Sequence, residues 1–388
     1  MRNVYLDYCA STPVDSFVIE QMSAFFRKYY ANPSSIHSAG QDSWNALENA
    51  RRYFAKQINA RPEEIYFTSG GTEADNLALQ GIMNANKDRG NHLIISSIEH
   101  SAIYNTAKYL KNKGFNLDVI GVNKQGFIDL KKLETIINDK TVLISIMMSN
   151  NELGTIQNIK AISELCRKKE IFFHTDAVQS FGKSTIDVNN PNIDLMSVSS
   201  HKIYGPKGTG FLYVKSGINF EPLFYGGPHE QKKRAGTEGL YNILGFKSAY
   251  ELMVKNMEKE NKKYILFRKR FLSNIKDNIS DFIVNSPEEN CLANVINISF
   301  PGIDSDTMLL ELDSHNIFIS AGSACSSKSI KVSRVLSACG LSDDIAGSSV
   351  RISFGRFTTQ EDIDYAVDKI IESVRKLRAM NPEYSLSY

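Results

Sequence analysis

Apolar positions along the chain fall in short, nearly unbroken runs separated by stretches of helical spacing. The runs are EIYFTS (64–69), HLIISS (92–97), NLDVIGV (116–122), TVLISIMM (141–148), IFFHTD (171–176), DLMSVSS (194–200) and GFLYVK (210–215). Most are continuous in Val, Ile, Leu, Phe and Met, the pattern of strands buried on both faces. Between the earlier runs, DLKKLETII (129–137) and NIKAISELCRKK (158–169) read as amphipathic helices. The alternation predicts an α/β fold with a mostly parallel sheet sandwiched by helices. Across 171–215 the rhythm breaks, and strands succeed one another with little helix between.

Beyond about residue 240 the pattern changes. A charged stretch over roughly 240–278, containing MVKNMEKENKKYILFRKR, reads as a solvated connecting helix. Strand-like NVINISF (294–300), helical DTMLLELDSH (306–315), strand-like NIFISAG (316–322) and SVRISFG (349–355) come next, then a helix over about 359–380 that opens on Thr359 and nearby acids. This part reads as a smaller α+β domain. The expected division is a large domain over 13–250 and a small domain built from 1–12 and 251–388. Neither an internal repeat nor a low-complexity tract is present.

Composition narrows the function classes. With 388 residues the chain is long enough for two domains, and 42% hydrophobic and 23% charged residues are ordinary for a globular protein. A net charge of +2 with scattered Lys and Arg gives no electrostatic grip on nucleic acid. The N-terminus shows no signal-peptide core and no apolar run is long enough to span a membrane, so a cytoplasmic protein is expected. Five cysteines without a CxxC pair argue against a disulfide framework or a structural zinc site, and no metal is expected.

In an α/β sheet ligands bind beyond the carboxyl ends of strands, which directs attention to the residues just after each run. EIYFTS leads into Gly70-Gly71-Thr72, a possible phosphate cradle at a helix start, although a plain turn explains it as well. HLIISS leads to His100, able to stack on a flat ligand or move protons, or simply to cap a helix. TVLISIMM leads to Asn150 and Asn151, which offer neutral donors and acceptors or an Asx turn. IFFHTD ends on Asp176, a carboxylate that needs a cationic partner, either a protonated pyridine nitrogen or the cation of a buried structural salt bridge. DLMSVSS ends at Ser199 and Ser200, directly before His201 and Lys202. A desolvated lysine at that place has a lowered pKa and acts as an amine nucleophile, the chemistry of a Schiff base with an aldehyde cofactor. One lysine, one aspartate, one ring-stacking histidine and a Gly-Thr cradle together match the needs of pyridoxal phosphate.

Order and spacing of TSGGTEADNLAL, SIEHSAI, MSNNELG, HTDAVQSFGK, SSHKIYGPKGTG, RAGTE, SAGSACSS and SVRISFGRFTTQEDID resemble cysteine desulfurases, of the class V aminotransferase-like group with the type I pyridoxal-phosphate fold. The resemblance runs from LDYCASTP (6–13) to the last helix. It implies that Lys202 carries pyridoxal 5'-phosphate, Asp176 pairs with its ring nitrogen, Gln179 bonds its ring hydroxyl, and His100 stacks on it as an acid/base group. It assigns the phosphate to Gly71, Thr72, Ser199 and His201, with Thr237 reaching the phosphate of a neighbouring subunit in a homodimer. Asn151 is implied near the cofactor hydroxyl and the substrate carboxylate, and Arg351 as the clamp on that carboxylate. Cys325, in a run of small residues within a mobile loop over about 321–332, is the implied nucleophile and sulfur carrier. The implied reaction converts L-cysteine to L-alanine and leaves a persulfide on Cys325 for a protein acceptor.

Departures bear on the acceptor. SKSIKVSRVLSACG (327–340) replaces the Leu-Glu-Pro-Ser type of segment usual in the family, and AMNPEYSLSY is a short C-terminus. Iron–sulfur assembly, tRNA thiolation and DNA phosphorothioation are equally open as destinations of the sulfur. Two rivals stand beside the desulfurase: a class V aminotransferase or lyase for another amino acid, which does not need Cys325, and a non-catalytic relay subunit, which does not need Lys202 or Arg351.

Overall fold

The structure, a computed structural model, describes residues 2–321, 332–381 and 384. The chain begins with β1 (Val4–Tyr5), α1 (Ser16–Lys28) and α2 (Ser38–Gln57). The alternating part comprises β2 (Ile65–Thr68), α3 (Gly71–Ala85), β3 (His92–Ser96), α4 (Ser101–Asn112), β4 (Asn116–Ile120), α5 (Leu130–Ile136), β5 (Thr141–Ser145), α6 (Ile159–Lys168) and β6 (Phe172–Asp176). Then β7 (Leu195–Ser199) and β8 (Gly210–Val214) come without an α-helix between them, and α7 (Leu240–Asn278) leaves the region. The last part holds β9 (Ile283–Val284), β10 (Val295–Ser299), α8 (Ser305–Ser314), β11 (Ile317–Phe318), β12 (Ser320–Ala321), α9 (Arg334–Ala338), α10 (Asp343–Gly347), β13 (Ser349–Ser353) and α11 (Gln360–Ala379).

Seven strands form one sheet in the order β2-β8-β7-β6-β5-β3-β4, and only β8 runs against its neighbours. The carboxyl ends of β2, β7, β6, β5 and β3 therefore open along one edge. Five of the strands are buried at every residue, as their unbroken apolar runs predict; β6 is buried except for partly exposed Phe172. β4 differs: at one edge of the sheet Asn116, Asp118 and Val119 are exposed, whereas β2 at the other edge is buried throughout. β12, β13, β10 and β9 form a second, antiparallel sheet, with β1 and β11 paired in parallel.

Apolar side chains fill both faces of the large sheet. Phe54, Phe181, Phe211 and Phe246 pack on one side, and Leu77, Ile82, Leu93 and Leu143 on the other. A separate core joins Phe271, Ile298, Ile352, Phe354 and Ile370 over the second sheet. The 39-residue α7 enters both. Its first turns bury Ile243, Phe246 and Met253 in the first core, and Tyr264, Phe267, Phe271 and Ile275 bury in the other. The solvated helix expected there is thus a strut with an apolar stripe at each end, because the spacing of 3, 4 and 4 between the last four residues keeps them on one face despite the flanking charges. Thr359 caps α11, its hydroxyl accepting from the Asp362 amide at 3.1 Å while the Asp362 carboxylate accepts from the Thr359 amide at 2.8 Å. Among the described residues no helix is long and apolar enough to cross a membrane.

Candidate active site

The strand ends converge on a cavity of about 590 Å³, a size suited to a cofactor with a small substrate. Gly71, Thr72, His100, Asn151, Asp176, Gln179, Ser199, His201, Lys202 and Arg351 all line it.

At the end of β2 the chain turns through Gly70, whose φ of +147° excludes ordinary side chains. A Cβ on Gly71 would stand 2.8 Å from Val178 Cγ2, so the turn also needs glycine for close approach to the loop after β6. Gly70 caps α3 with no side chain. The first N–H groups of this 15-residue helix, and the positive end of its dipole, therefore open on the cavity beside Ser199. The Ser200 hydroxyl, one residue further, is buried and unpartnered among the described residues. His201 Nδ1 lies 3.2 Å from Ser11 Oγ. Burial, with the positive charges of Lys202 and Lys207, lowers the proton affinity of His201 to a pKa of about 4, so its ring is neutral.

Lys202 Nζ donates to the carbonyls of Cys9 and Ala10, both at 2.7 Å. Burial lowers its pKa to about 8, aided by the charges of Arg351 and Lys183 against the opposing effect of Cys9. Gln179 Nε2 donates to the same Cys9 carbonyl at 3.0 Å, while its Oε1 accepts from buried Lys183 at 3.1 Å. The lysine and the glutamine amide are therefore held against one backbone atom.

Asp176 closes β6, with Oδ1 accepting from the Val178 amide at 2.9 Å. It is 5% exposed and forms no salt bridge among the described residues. Burial raises its pKa, opposed by the charges of His100 and Lys202. Beneath it Asp75 is pushed well above the usual carboxylate range by burial and by the Asp176 charge. Asp75 lies 3.9 Å from His174, a ring kept neutral by burial and bonded to Ser145 and Ser197 at 2.8 and 2.9 Å. His100 caps α4 through Nδ1, which accepts from the Ala102 amide at 3.2 Å. That bond assigns the proton of the neutral ring to Nε2, and burial favours the neutral form.

On the second sheet, Arg351 projects from β13. Its Nη2 meets Asp7 Oδ1 at 2.7 Å, its Nη1 donates to the Asn151 carbonyl at 3.0 Å, and its buried Nε has no partner among the described residues. Asn150, not Asn151, makes the Asx turn, accepting from the amides of Glu152 and Leu153 at 2.9 and 2.8 Å. Thr237 is exposed and does not line the cavity of its own chain. Cys325 lies outside the described residues. The flanks of its segment both reach the site: Ser320 pairs with Arg351 across β12 and β13, and Arg334 lines the cavity.

Among the charged residues lining the cavity, Asp75, Glu99, Glu152 and Arg334 are not singled out by the sequence pattern. Glu99 directly precedes His100, and Glu152 directly follows Asn151. Burial raises their pKa values to about 8 and about 7. Acids adjoining a rim histidine and a rim asparagine are the available signal; Arg334, in the unusual 327–340 segment, has none in local pattern.

Together these groups suit a ligand with an anionic end at the start of α3, a basic ring nitrogen at Asp176 and an electrophilic carbon near Lys202. A buried carboxylate without a cation asks for one from outside the chain.

The aminotransferase class-V family matches residues 4–366. A cysteine desulfurase IscS of Clostridium botulinum is 45% identical over 383 residues, covering 98% of this chain and 96% of that one. A solved NifS-like protein is 34% identical with a TM-score of 0.91, covering 97% of this chain and all (100%) of its own. The structure of SspA in complex with cysteine is 37% identical with a TM-score of 0.81, covering 92% of this chain and 100% of that chain.

Proposed function

The chain belongs to the class-V aminotransferase family and acts as a cysteine desulfurase, and on that footing we propose that it uses pyridoxal 5'-phosphate, carries sulfur on Cys325 and works as a homodimer. The observation that carries this reading is the meeting of Lys202, Asp176 and Arg351 in one cavity. The cofactor fits the residues present. Its phosphate would suit the open amides of α3 with Ser199 and neutral His201, its ring nitrogen would suit Asp176, and Lys202 would hold its aldehyde carbon. When bound, the cofactor supplies an electron sink conjugated to the substrate Cα.

The chain's own groups do the rest. Arg351, preset by Asp7 and the Asn151 carbonyl, binds the L-cysteine carboxylate, with Nε as the donor still free of a partner among the described residues. Lys202, with its pKa lowered to about 8, takes the Cα proton as a free amine. His100, protonated at Nε2 while Nδ1 is tied to α4, holds a proton over the reacting centre. The Cys325 thiolate attacks the substrate sulfur. The S–S bond forms as the Cβ–S bond breaks, and the carbon skeleton takes up a proton. L-cysteine and a thiol thus become L-alanine and a persulfide, with no outside oxidant or reductant. The persulfide sulfur passes to a second protein. SspA, a relative by structure, is itself described in complex with cysteine, which supports this substrate for the shared cavity.

Turnover of L-cysteine with a thiol reductant tests the reading. The wild type should release alanine and sulfide in equal amounts, and Cys325→Ala should release neither while keeping the cofactor's yellow colour. A Cys325→Ala protein that turns over at the wild-type rate would sink the persulfide mechanism and favour another amino-acid substrate.

A further inference from the structure

The turn that delivers His100 is unusually well held. Its three carbonyls, of Ser97, Ile98 and Glu99, all accept hydrogen bonds from side chains. Asn150 takes the middle one at 3.0 Å. Arg334 takes the outer two, Nη1 to Ser97 and Nη2 to Glu99. Its guanidinium also stacks on the Tyr104 ring, 4.0 Å from the centroid and one turn into the helix that His100 caps. Behind it, Val335 and Leu336 join Ile98, Met147 and Leu153 in a small apolar cluster. Before it, the Ser333 hydroxyl donates to Glu152 at 2.5 Å, next to Asn151.

We propose that Arg334 is a positioning residue that ties the Ser97–Glu99 turn, and with it the His100 imidazole, to the wall of the cavity. Its planar fork spans two carbonyls two residues apart, which a lysine's single ammonium does not reproduce. The charge matters as well as the shape. His100 faces Asp75, Asp176, His201, Lys202 and Arg334, and the two cations disfavour its protonated form. Arg334 in turn faces Tyr104, Glu152 and Glu99. Removing its charge should make His100 easier to protonate.

The proposal deepens the desulfurase reading, and its test has an arm independent of that reading. The arm is the titration of His100, tracked by the ring-proton resonances of the resting holoenzyme without substrate and assigned with His100→Gln. In Arg334→Ala and Arg334→Gln the midpoint should move to higher pH; in Arg334→Lys, which keeps the charge, it should stay. In turnover, Arg334→Ala and Arg334→Lys should lose about ten- to a hundredfold in kcat with KM for L-cysteine unchanged, the cost of a misplaced catalytic group. Arg334→Gln should lose as much, since its amide, like the lysine ammonium, reaches only one of the two carbonyls. A merely structural role would lower the melting temperature yet leave kcat per bound cofactor and the His100 midpoint as in the wild type, and that result overturns the proposal. A moved midpoint in a protein that fails to desulfurate cysteine would uphold Arg334 and reject the desulfurase reading instead.

Discussion

At the scale of single residues, the site rests on Lys202. An ordinary lysine stays protonated to a pH near 10.4, and a protonated amine attacks no carbonyl. Here burial, reinforced by the nearby charges of Arg351 and Lys183, brings the pKa to about 8 while two backbone carbonyls aim the amine. The neutral fraction therefore grows as pH rises through about 8, not through 10. Cofactor capture by the cofactor-free protein, trapped with borohydride over a pH series, should rise with that midpoint. Lys183→Met removes one of the charges that lower it and should shift the midpoint upward. A capture curve that climbs only near the ordinary lysine range would mean that Lys202 is solvated and not the attachment point. The lysine is legible in sequence because it comes after an apolar run and precedes a glycine turn. Arg334 is not, because nothing local in SRVLSA says that its guanidinium returns to the carbonyls of a turn more than two hundred residues earlier.

At the scale of elements, each functional group is delivered by a strand end or a helix start. Most strands are legible because burial on both faces writes an unbroken apolar run. β4 and α7 depart from expectation for one shared reason: exposure is decided by neighbours that the local pattern does not contain. β4 is apolar enough to pass for a buried strand yet leaves three residues exposed, and α7 is charged enough to pass for a solvated rod yet meets two cores. The start of α3 is the element most exposed to test. Its amides face the cavity only because Gly71 lets the turn approach Val178. Gly71→Ala places a methyl 2.8 Å from Val178 Cγ2, so either the side chain or the turn must shift. Since Gly71 is not at positive φ, the fold should tolerate the change and the anion site should not. Equilibrium binding of pyridoxal phosphate should weaken by about tenfold or more, the scale of one lost charge-assisted hydrogen bond, with little change in melting temperature of the cofactor-free protein. Unchanged binding would place the phosphate elsewhere. The double change Gly71→Ala with Val178→Ala, which opens the space, should recover the affinity.

At the scale of the whole molecule, Thr237 poses the question that one chain does not answer. Its neighbours in RAGTE touch their own site, since Arg234 pairs with Glu73 at 2.9 Å and Glu73 lines the cavity, but Thr237 is exposed. Close by, His229 and Glu238 share a groove with Pro33 and Ser34. The chain flanking that groove exposes Tyr30 at 74%, Ile36 at 93% and Tyr225 at 82%. A second copy of the chain, as proposed for the homodimer, would have these side chains to cover. If the cover is a second copy, Thr237 completes the partner's phosphate site, and mixing two defective chains will reveal it. Lys202→Ala has no attachment point; Thr237→Val keeps the lysine and loses the cross-subunit donor. In a hybrid of the two, the site that owns Lys202 faces an intact Thr237 from its companion, so one of the two sites is complete. Activity and cofactor content should then exceed those of both parents after unfolding and refolding together, and should not when the chains are merely combined without exchange. If Thr237 served its own chain, the hybrid would hold one site without the threonine and one without the lysine, and no activity above the Thr237→Val parent would return. The outcome thus separates a shared active site from two self-sufficient ones, which is what decides whether this fold can work as a monomer.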